Sequence, residues 1–333
     1  MSSIIRSHKT QHGVSLIELM VALVIGLFLI FGAVTIYQQS RSTFRTTEAV
    51  ARLQEVARLA FDVIEADLRM ASYWGLNNRS DFIDNRAGPG QAAPSPFTSL
   101  TGPINECGGA NSNWAINLDE YVGGSNNGYT LACGATGTPS GTSDTLLVRR
   151  ATDAEPVALE LNRIYLQTSR LQGTLFLPAC TDPKLVACIP AAYLPPVSQS
   201  RALVVHDYYV STNSTLRADV PALRRKSLGR INASPVVADD EIVPGVEDIQ
   251  VQFGIDTNGD SNVDEYVNPG DPKLAGDAVI SATIWLRIRS EDRDFGHVDG
   301  NTYQYADTPA VAPNDNYRRI VVSKTIQLRN TRI

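Results

Sequence analysis

The chain has 333 residues, of which 29 are Lys or Arg and 35 are Asp or Glu, so its formal net charge is -6. Without an excess of basic residues, nucleic acid is not expected to be its main partner. After the apolar region near the start, about 260 residues remain, which is enough for one elaborate domain.

An uncharged apolar segment runs from Leu19 to Ile36. Its 18 residues reach the lower end of the roughly 17 to 25 that span a bilayer as a helix. Glu18 directly precedes it, and because a charge inside a membrane segment costs about 2.5 to 3.5 kcal/mol, we expect this acid to have a partner and a role. Arg6 and Lys9 lie before the segment, so the positive-inside bias places the N-terminus in the cytoplasm and the rest of the chain outside.

The apolar pattern continues past this segment with helical spacing. No proline occurs from Val14 to Ser72, so the sequence predicts one helix of about 55 to 60 residues, or roughly 85 Å. Glu48 with Arg52, and Glu65 with Arg69, are i,i+4 pairs suited to its polar side. We expect the first half to be buried in a membrane or a bundle and the second half to pack on a globular domain. The apolar stripe of the second half comprises Val50, Leu53, Ala57, Ala60, Phe61, Ile64, Leu68 and Ala71.

Residues 77–143 are rich in Gly, Asn, Ser, Thr and Pro and predict a long loop insertion. From residue 144 onward, runs of β-type residues appear, several of them with strict alternation, as in Ile284 to Arg289. Alternation is typical of an antiparallel sheet with one buried face, and the helical stripe would cover that face, which gives an α+β fold. The predicted strands are Asp144–Arg150, Asn162–Thr168, Gly173–Leu177, Ala202–Ser211, Ser214–Asp219, Ile249–Ile255, Val279–Arg289 and Arg319–Arg329.

All four cysteines, Cys107, Cys133, Cys180 and Cys188, lie in the part expected to be exported, where thiols oxidise. Three pairings are possible. We favour Cys107 with Cys133 and Cys180 with Cys188, because each pair closes a local loop. Metal binding by these cysteines is disfavoured, since no C-x-x-C motif occurs.

The start of the chain resembles the class III signal of type IV pilins and of the related type II secretion pseudopilins. The resemblance rests on Gly13, the run Val14 to Met20 and the apolar helix that follows. In that family a prepilin peptidase cuts after the glycine and methylates the new N-terminal amine. The resemblance implies cleavage between Gly13 and Val14, N-methylation of Val14 and an assembly role for Glu18. Val14 stands where the family usually has phenylalanine.

Glu18 has a physical role consistent with this resemblance. The amine of Val14, once exposed by cleavage, lies only about 6 Å along the helix axis from Glu18. In an apolar fibre core an unpaired charge is unfavourable, so Glu18 of the same or a neighbouring subunit would pair with that amine.

Later segments resemble PilW-type minor pilins, which are related to J-type pseudopilins. They are Val246–Asp256 with the Asp/Asn-rich turn after it, Leu286–Ser290 and Thr325–Asn330. The resemblance implies the type IV pilin fold, a long N-terminal helix packed on an antiparallel sheet domain with long loop insertions. The expected divisions are a leader (1–13), a membrane-spanning or pilus-core half of the helix (14–37), its amphipathic half (38–76), the insertion (77–143) and the β-sheet domain (144–333).

The function implied is that of a minor pilin that primes type IV pilus assembly and sits in the tip complex. Its expected partners are other minor pilins, the major pilin, a PilY-type tip protein, the prepilin peptidase and, before assembly, inner-membrane lipid. The alternative is a J-type minor pseudopilin of a type II secretion system. The expected location is the inner membrane, as a single-pass protein with a periplasmic C-terminal domain, and then the cell-surface pilus. No enzyme is expected: the sequence has no nucleophile elbow or phosphate loop, and only His206 and His297 lie outside the leader.

An acidic loop follows the predicted strand Ile249–Ile255. Oxygen-bearing residues at alternate positions suit a hard cation such as Ca²⁺, although Asn-Gly and Asp also form turns unaided. The EF-hand pattern is not met, because Gly259 is at position 4 rather than 6. The candidate calcium ligands are Asp256, Asn258, Asp260, Asn262 and Asp264, with Asn262 supplying its backbone carbonyl.

Two other polar features are interpreted as structural. The basic run Leu223 to Arg230 predicts a solvated hairpin, because it lacks the interleaved aromatic residues of single-strand binders. His206 and Asp207 are adjacent in a predicted strand, so their side chains point to opposite faces and cannot form a catalytic dyad. Tyr208 and Tyr209 are expected to be packing or interface residues.

Overall fold

The structure is a computed structural model that describes residues 13–95, 97, 107–109, 112–183, 185, 187–190, 197–231, 234–275 and 278–331. It contains one long helix, α1 (Leu16–Met70), and two β-sheets, with short 3-10 helices at Ser80–Phe82 and Pro272–Ala275. The chain divides into two compact units, the first ending at Ala51 and the second beginning at Arg52.

Helix α1 is continuous over 55 residues, the length that the sequence predicted. Its predicted stripe from Leu53 to Ala71 is buried, and Val50 is half-buried. Asp67 is also buried, since its spacing from Ile64 and Ala71 places it on the same face. An acid therefore interrupts the apolar stripe, and it needs partners on the sheet.

The first sheet has eight strands, in the order β1-β5-β4-β6-β3-β2, with β7 paired to β6 and β8 paired to β7. All pairs are antiparallel except β1 with β5. The strands are β1 (Ile83–Asp84), β2 (Val122–Gly123), β3 (Leu146–Ala151), β4 (Tyr165–Thr168), β5 (Gly173–Phe176), β6 (Gln199–Ser211), β7 (Ala222–Ile231) and β8 (Ser234–Pro244).

The second sheet is antiparallel, in the order β10-β9-β11-β12. Its strands are β9 (Val246–Asp256), β10 (Glu265–Val267), β11 (Ala278–Arg289) and β12 (Arg319–Gln327). Only Gly245 separates β8 from β9, and its φ of +93° is a left-handed conformation that glycine adopts without strain.

The main core lies between the helical stripe and both sheets. Fully burying one Leu, Ile or Phe side chain contributes about 1.5 to 3 kcal/mol, so this stripe is a major part of the stability of the second unit. From the sheets, the core includes Leu146, Val148, Tyr208, Val210, Leu223, Val243, Ile249, Val251, Phe253, Ile284, Leu286 and Ile326.

A second core lies on the opposite face of the first sheet. Strand β3 shows the division directly, because Leu146 and Val148 belong to the main core whereas Leu147 and Ala151 belong to the second. Residues of the loop-rich segment 77–143, among them Phe97, Trp114, Ile116, Leu118, Cys107 and Cys133, complete it. The described residues of that segment therefore form a packed layer over the sheet, called here the loop-rich layer.

Both favoured disulfide bonds are present. Cys107 bonds to Cys133 within the layer over the second core, and Cys180 bonds to Cys188 beside a small third cluster that includes Tyr165. Each bridge closes a loop between cysteines adjacent in sequence order.

The structure differs from the predicted strands in several places. The predicted strand Ser214–Asp219 is wrong: these residues form turns, stabilised by hydrogen bonds such as that from the N–H of Ser214 to the carbonyl of Val220. The strands β7 and β8 were not among the predicted strands, because their charged residues interrupt the apolar alternation; the basic run Leu223 to Arg230, interpreted as a hairpin, lies in the single strand β7. The last strand ends at Gln327 rather than Arg329, and two sheets replace the single one expected.

Candidate functional site

The start of α1 has a defined cap. The backbone N–H of Glu18 donates to the hydroxyl oxygen of Ser15 at 3.3 Å, and the helix begins at Leu16. Ser15 and Glu18 have the spacing of a capping box, in which the first residue satisfies an otherwise unbonded N–H of the first turn. A negative charge in this turn is also favoured by the helix dipole. The helix therefore begins two residues after Val14.

The first half of α1 exposes its apolar side chains all around. Its most apolar 18-residue window has a mean hydropathy of 2.8 and none of it is buried, so by length and composition this helix could cross a membrane. Leu16, Ile17 and Phe28 are 78%, 71% and 73% exposed. Such a surface needs lipid or other helices around it.

The structure places Gly13, Val14 and Glu18 together at the exposed N-terminal end of the described chain. A side chain built at Gly13 would meet no atom within 4 Å. Packing in this chain therefore gives no reason for a glycine there. Cleavage at this position and the charge-pairing role of Glu18 remain predictions.

The acidic loop after β9 is a series of side-chain-capped turns. Both carboxylate oxygens of Asp256 accept backbone hydrogen bonds, Oδ1 from Gly259 at 2.7 Å and Oδ2 from Ser261 at 2.7 Å. Asp264 Oδ2 accepts from the N–H and the hydroxyl of Thr257 at 2.9 and 2.8 Å. The turn interpretation therefore accounts for much of this loop.

The remaining candidate ligands continue the same pattern. Asn258 Oδ1 accepts from the N–H of Asp260 at 2.8 Å, and Asp260 Oδ1 accepts from the N–H of Asn262 at 2.8 Å. Across the described part of the chain, no group of three or more His, Cys, Asp or Glu side chains is arranged to hold a metal ion. Calcium binding by this loop stays a prediction.

Asp67 of α1 is the centre of a polar cluster that sequence reasoning missed. It accepts hydrogen bonds from Arg150 on β3 and lies 2.5 Å from Nδ1 of His206 on β6, and the hydroxyl of Tyr208 also donates to it. Burial raises the pKa of Asp67, but His206, Arg150 and Tyr208 together lower it to about 2. The sequence did contain a signal for this cluster, because Asp67 has the spacing of the apolar stripe on the amphipathic half of the helix.

His206 and Asp207 point to opposite faces of β6, as predicted. His206 meets Asp67 on the helix side, whereas Asp207 is fully buried on the other side near Arg149 and Lys226. Neither carboxylate oxygen of Asp207 has a hydrogen-bond partner in the described structure. Burial, more than its neighbours, raises its pKa to about 7.

The basic run forms β7 of the β7–β8 hairpin, but it is not solvated as predicted. Lys226 Nζ lies 2.8 Å from Asp239 Oδ2, and Arg224 Nε lies 3.0 Å from Asp239 Oδ1; all three side chains are at least 90% buried. Arg224 also bonds Glu241 at 3.2 Å. Opposite charges on adjacent strands neutralise one another, and the run is therefore structural.

Buried basic side chains of β7 and β3 also hold the loop-rich layer against the sheet. Lys226 Nζ donates to the carbonyl of Gly134 at 2.5 Å, and the guanidinium of Arg149 donates to the carbonyl of Trp114 at 2.9 and 2.7 Å. The hydroxyl of Tyr209 donates to Asp239 at 2.7 Å. The role of Tyr209 is thus packing, as expected.

Comparison with known proteins identifies similarity in two separate parts of the chain. Residues 207–330 match the family described as Type IV Pilus-assembly protein W, and residues 8–34 match the prokaryotic N-terminal methylation motif. The second match includes Gly13, Val14 and Glu18. The resemblance predicted from the sequence, to N-methylated pilins at the start and to PilW toward the end, is confirmed over these residues.

Among solved structures, the chain is similar to a type IV-like pilin from Thermus thermophilus. The two share 14% sequence identity with a TM-score of 0.30, over 59% of this chain and 83% of that one. No curated protein matches the chain in sequence.

Proposed function

We propose that this chain is a minor pilin that primes type IV pilus assembly and occupies the complex at the fibre tip. The observation that carries the proposal is the capped apolar helix that begins at Leu16, three residues after Gly13, in a segment that matches the N-terminal methylation motif. The match of residues 207–330 to the PilW family supports the assignment to pilus assembly.

The N-terminal segment would act in two stages. Before assembly, the apolar half of α1 holds the chain in the inner membrane with the N-terminus in the cytoplasm, and a prepilin peptidase cuts between Gly13 and Val14 and methylates the new amine. During assembly the same helix leaves lipid for the helical core of the fibre. Since its side chains are exposed in this chain alone, other pilin helices supply the surface that replaces lipid.

Glu18 would set the position at which the helix docks in the fibre core. The amine of Val14, just before the helix, and the Glu18 carboxylate, in its first turn, carry opposite charges. In a core of low polarity, a charge of one sign strongly favours a partner of the other sign. A subunit therefore docks where its amine or its Glu18 meets the complementary group of a neighbour.

The globular part would give the subunit its place in the fibre. The proposed neighbours are other minor pilins, the major pilin and a PilY-type tip protein. We propose no catalytic role for the chain, in keeping with its similarity to pilus-assembly proteins. The alternative is a J-type minor pseudopilin, which would use the same N-terminal segment in a secretion pseudopilus.

Mass spectrometry of fibres sheared from the cell surface tests the proposal. We expect the protein in this fraction to begin at N-methylated Val14, and to be accompanied by pilus subunits. A protein that starts at Met1, or that is missing from sheared fibres, would contradict the proposal. Copurification with the pseudopilins of a secretion system would instead support the alternative.

A further inference from the structure

Strand β12 forms one edge of the second sheet. It pairs with β11 over all nine of its residues, from Arg319↔Arg289 to Gln327↔Ser281, without a register shift. Within the described ranges, no strand pairs with its other side. A regular strand of this length therefore ends the sheet.

The direction of its backbone groups follows from the hydrogen bonds at its two ends. The N–H of Leu328 donates to the carbonyl of Ile280 at 2.9 Å, and the N–H of Ser290 donates to the carbonyl of Arg318 at 2.8 Å. Both pairs continue the register of β12 with β11. Hydrogen-bonded and non-bonded residue pairs alternate in an antiparallel ladder. The backbone N–H and C=O groups of even-numbered β12 residues therefore point toward β11, and those of odd-numbered β12 residues point away from it.

The outward-facing residues therefore include Val321, Ser323 and Thr325. No hydrogen bond in the described structure uses their N–H or C=O groups. Ser323 and Thr325 are exposed and Val321 is half-exposed. Their side chains are uncharged. Arg319, at the start of the same row, is charged, but its guanidinium is paired with Glu247 and Asp315 at 2.7 and 2.6 Å.

The one charged side chain in the middle of β12 points elsewhere. Lys324 forms an ion pair with Glu65 of α1, on the face where Ile320 and Val322 pack against the main core. An exposed lysine commonly protects an edge strand from pairing with other chains. Here the lysine is held on the helix, so this protection is reduced.

Other described edge strands are protected or too short to act as templates. The strands β1 and β2, at opposite ends of the strand order of the first sheet, have two residues each, and β10, at the other edge of the second sheet, has three. Strand β8 is longer, but it contains Pro235 and Pro244 and the acids of residues 239–241. Proline and charge both discourage the addition of a strand. β12 is the exception among these edges.

We propose that β12 accepts an extended segment of another pilin-type subunit as an added β-strand. The partner's backbone would bond to Val321, Ser323 and Thr325, and the partner would present uncharged side chains to this row. Strand addition of this kind derives its affinity from main-chain hydrogen bonds. The choice of partner rests on the proposed function, because it assumes that the chain works among other pilins.

Residue-resolved hydrogen exchange tests the proposal on the unaltered full-length chain. The chain would be compared alone in detergent and in the complex with coexpressed pilin subunits of its assembly. We expect amides of Val321, Ser323 and Thr325 to exchange at least tenfold more slowly in the complex. Those of Val322 and Lys324 face β11 and should be protected in both samples. Equal exchange of the three outward amides in both samples would overturn the proposal.

A pair of variants at one position gives a second readout. Ser323→Pro removes an outward N–H without breaking a bond to β11, whereas Ser323→Ala keeps that N–H and serves as the matched control. We expect the proline variant to be at least tenfold depleted from sheared fibres and the alanine variant to be present at wild-type level. Equal incorporation of both would count against strand addition, provided that thermal unfolding shows both to be folded.

The outcomes also separate this inference from the proposed function. Absence of the wild-type chain from fibres would defeat the proposed function. Its presence in fibres with fast exchange at the three outward amides would defeat only the strand-addition proposal. Slow exchange of these amides in the purified chain alone, together with a doubled mass, would assign the edge to a second copy and overturn the proposed partner.

Discussion

Asp67, on the buried face of α1, accepts two hydrogen bonds from the guanidinium of Arg150 on β3, at 3.0 and 2.9 Å, both through Oδ1. The bond fixes the second half of the helix to the first sheet at a defined position along its length. His206 and Tyr208 occupy the other carboxylate oxygen. The helix is thus held by apolar contacts and also by one fully bonded buried charge.

Asp67→Asn should lower the free energy of unfolding by about 3 kcal/mol, because it leaves the Arg150 guanidinium without its charged partner in a largely buried site. Urea unfolding of the full-length chain in detergent, followed by the fluorescence of buried Trp74 and Trp114, measures this change. Asp62→Asn, on an exposed position of the same helix, is the control and should change the value by less than about 0.5 kcal/mol. Equal effects of the two substitutions would show that the cluster does not hold the helix.

The same cluster should make stability depend on acidity. The pKa of Asp67 in the folded chain is lowered to about 2, below the value near 3.9 of an unfolded chain. Its stabilisation is therefore fully present above pH of about 4 and is lost as the pH falls from about 4 to 2. Urea midpoints measured across this range should fall more steeply for the wild type than for Asp67→Asn.

Asp207→Asn should stabilise the chain at pH 8 and have little effect at pH 4. The pKa of Asp207 is raised to about 7, chiefly by burial, so the wild type loses stability as the pH rises from about 4 to 7, where the unfolded chain ionises more readily. The shift of about 3 pKa units corresponds to about 4 kcal/mol at 1.36 kcal/mol per unit, which is the upper bound of the expected gain at pH 8. Thermal unfolding of both proteins at the two pH values measures it.

A control for this prediction is needed because Asp144 also has a pKa raised to about 7, mainly by burial. Asp144→Asn removes that second contribution but also replaces an acceptor of two backbone N–H groups, those of Asn127 and Val251. A wild-type pH slope that survives unchanged in Asp207→Asn would mean that Asp207 does not titrate in this range.

Glu18→Ala should reduce the amount of the chain in sheared fibres by at least tenfold, without affecting membrane insertion or removal of the leader. The physical reason is that the amine of Val14 loses its partner in the fibre core, where an unpaired charge is unfavourable. Immunoblots of sheared fibres and of membranes provide the measurement. Glu55→Ala, at an exposed position of the same helix, should behave as wild type. Normal incorporation of Glu18→Ala would remove the basis for charge pairing.

The sequence pattern of residues 256–264 gives a separate proposal, that this loop binds calcium. It predicts that the thermal midpoint rises with Ca²⁺ concentration, because a ligand that binds only the folded state stabilises it by mass action. Asp260→Ala removes a proposed ligand and one turn hydrogen bond, and should abolish the Ca²⁺-dependent increase. Ser80→Ala, far along the chain from this loop, should retain it. A midpoint unchanged by Ca²⁺ in the wild type would leave only the structural role of the turns.

Much of the fold was predictable because its signals are local. The spacing of apolar residues from Leu53 to Ala71 predicted which face of α1 is buried, since neighbours on a helix face are three and four residues apart. The cysteine pairs were predictable because each joins sequence neighbours. The strands from Ile249 and from Val279 were found by their alternation, and the structure contains both.

The missed elements depend on contacts between residues far apart in the sequence. Strand β7 carries Arg224 and Lys226, which look like solvent-exposed residues until β8 places Glu241 and Asp239 opposite them. Asp67 likewise breaks the apolar stripe of its helix until Arg150 and His206 meet it from the sheet.

The sequence by itself determined the segment that matches the N-terminal methylation motif, because Gly13, Val14, Glu18 and the apolar helix are contiguous in the chain. Tertiary structure alone decided how the acidic and basic residues are used, which face of the first sheet the loop-rich layer covers, and that β12 ends its sheet with open backbone groups. The reason is physical. A helix and its cap are made by neighbours along the chain, whereas a buried charge or a free strand edge depends on which distant segment lies beside it.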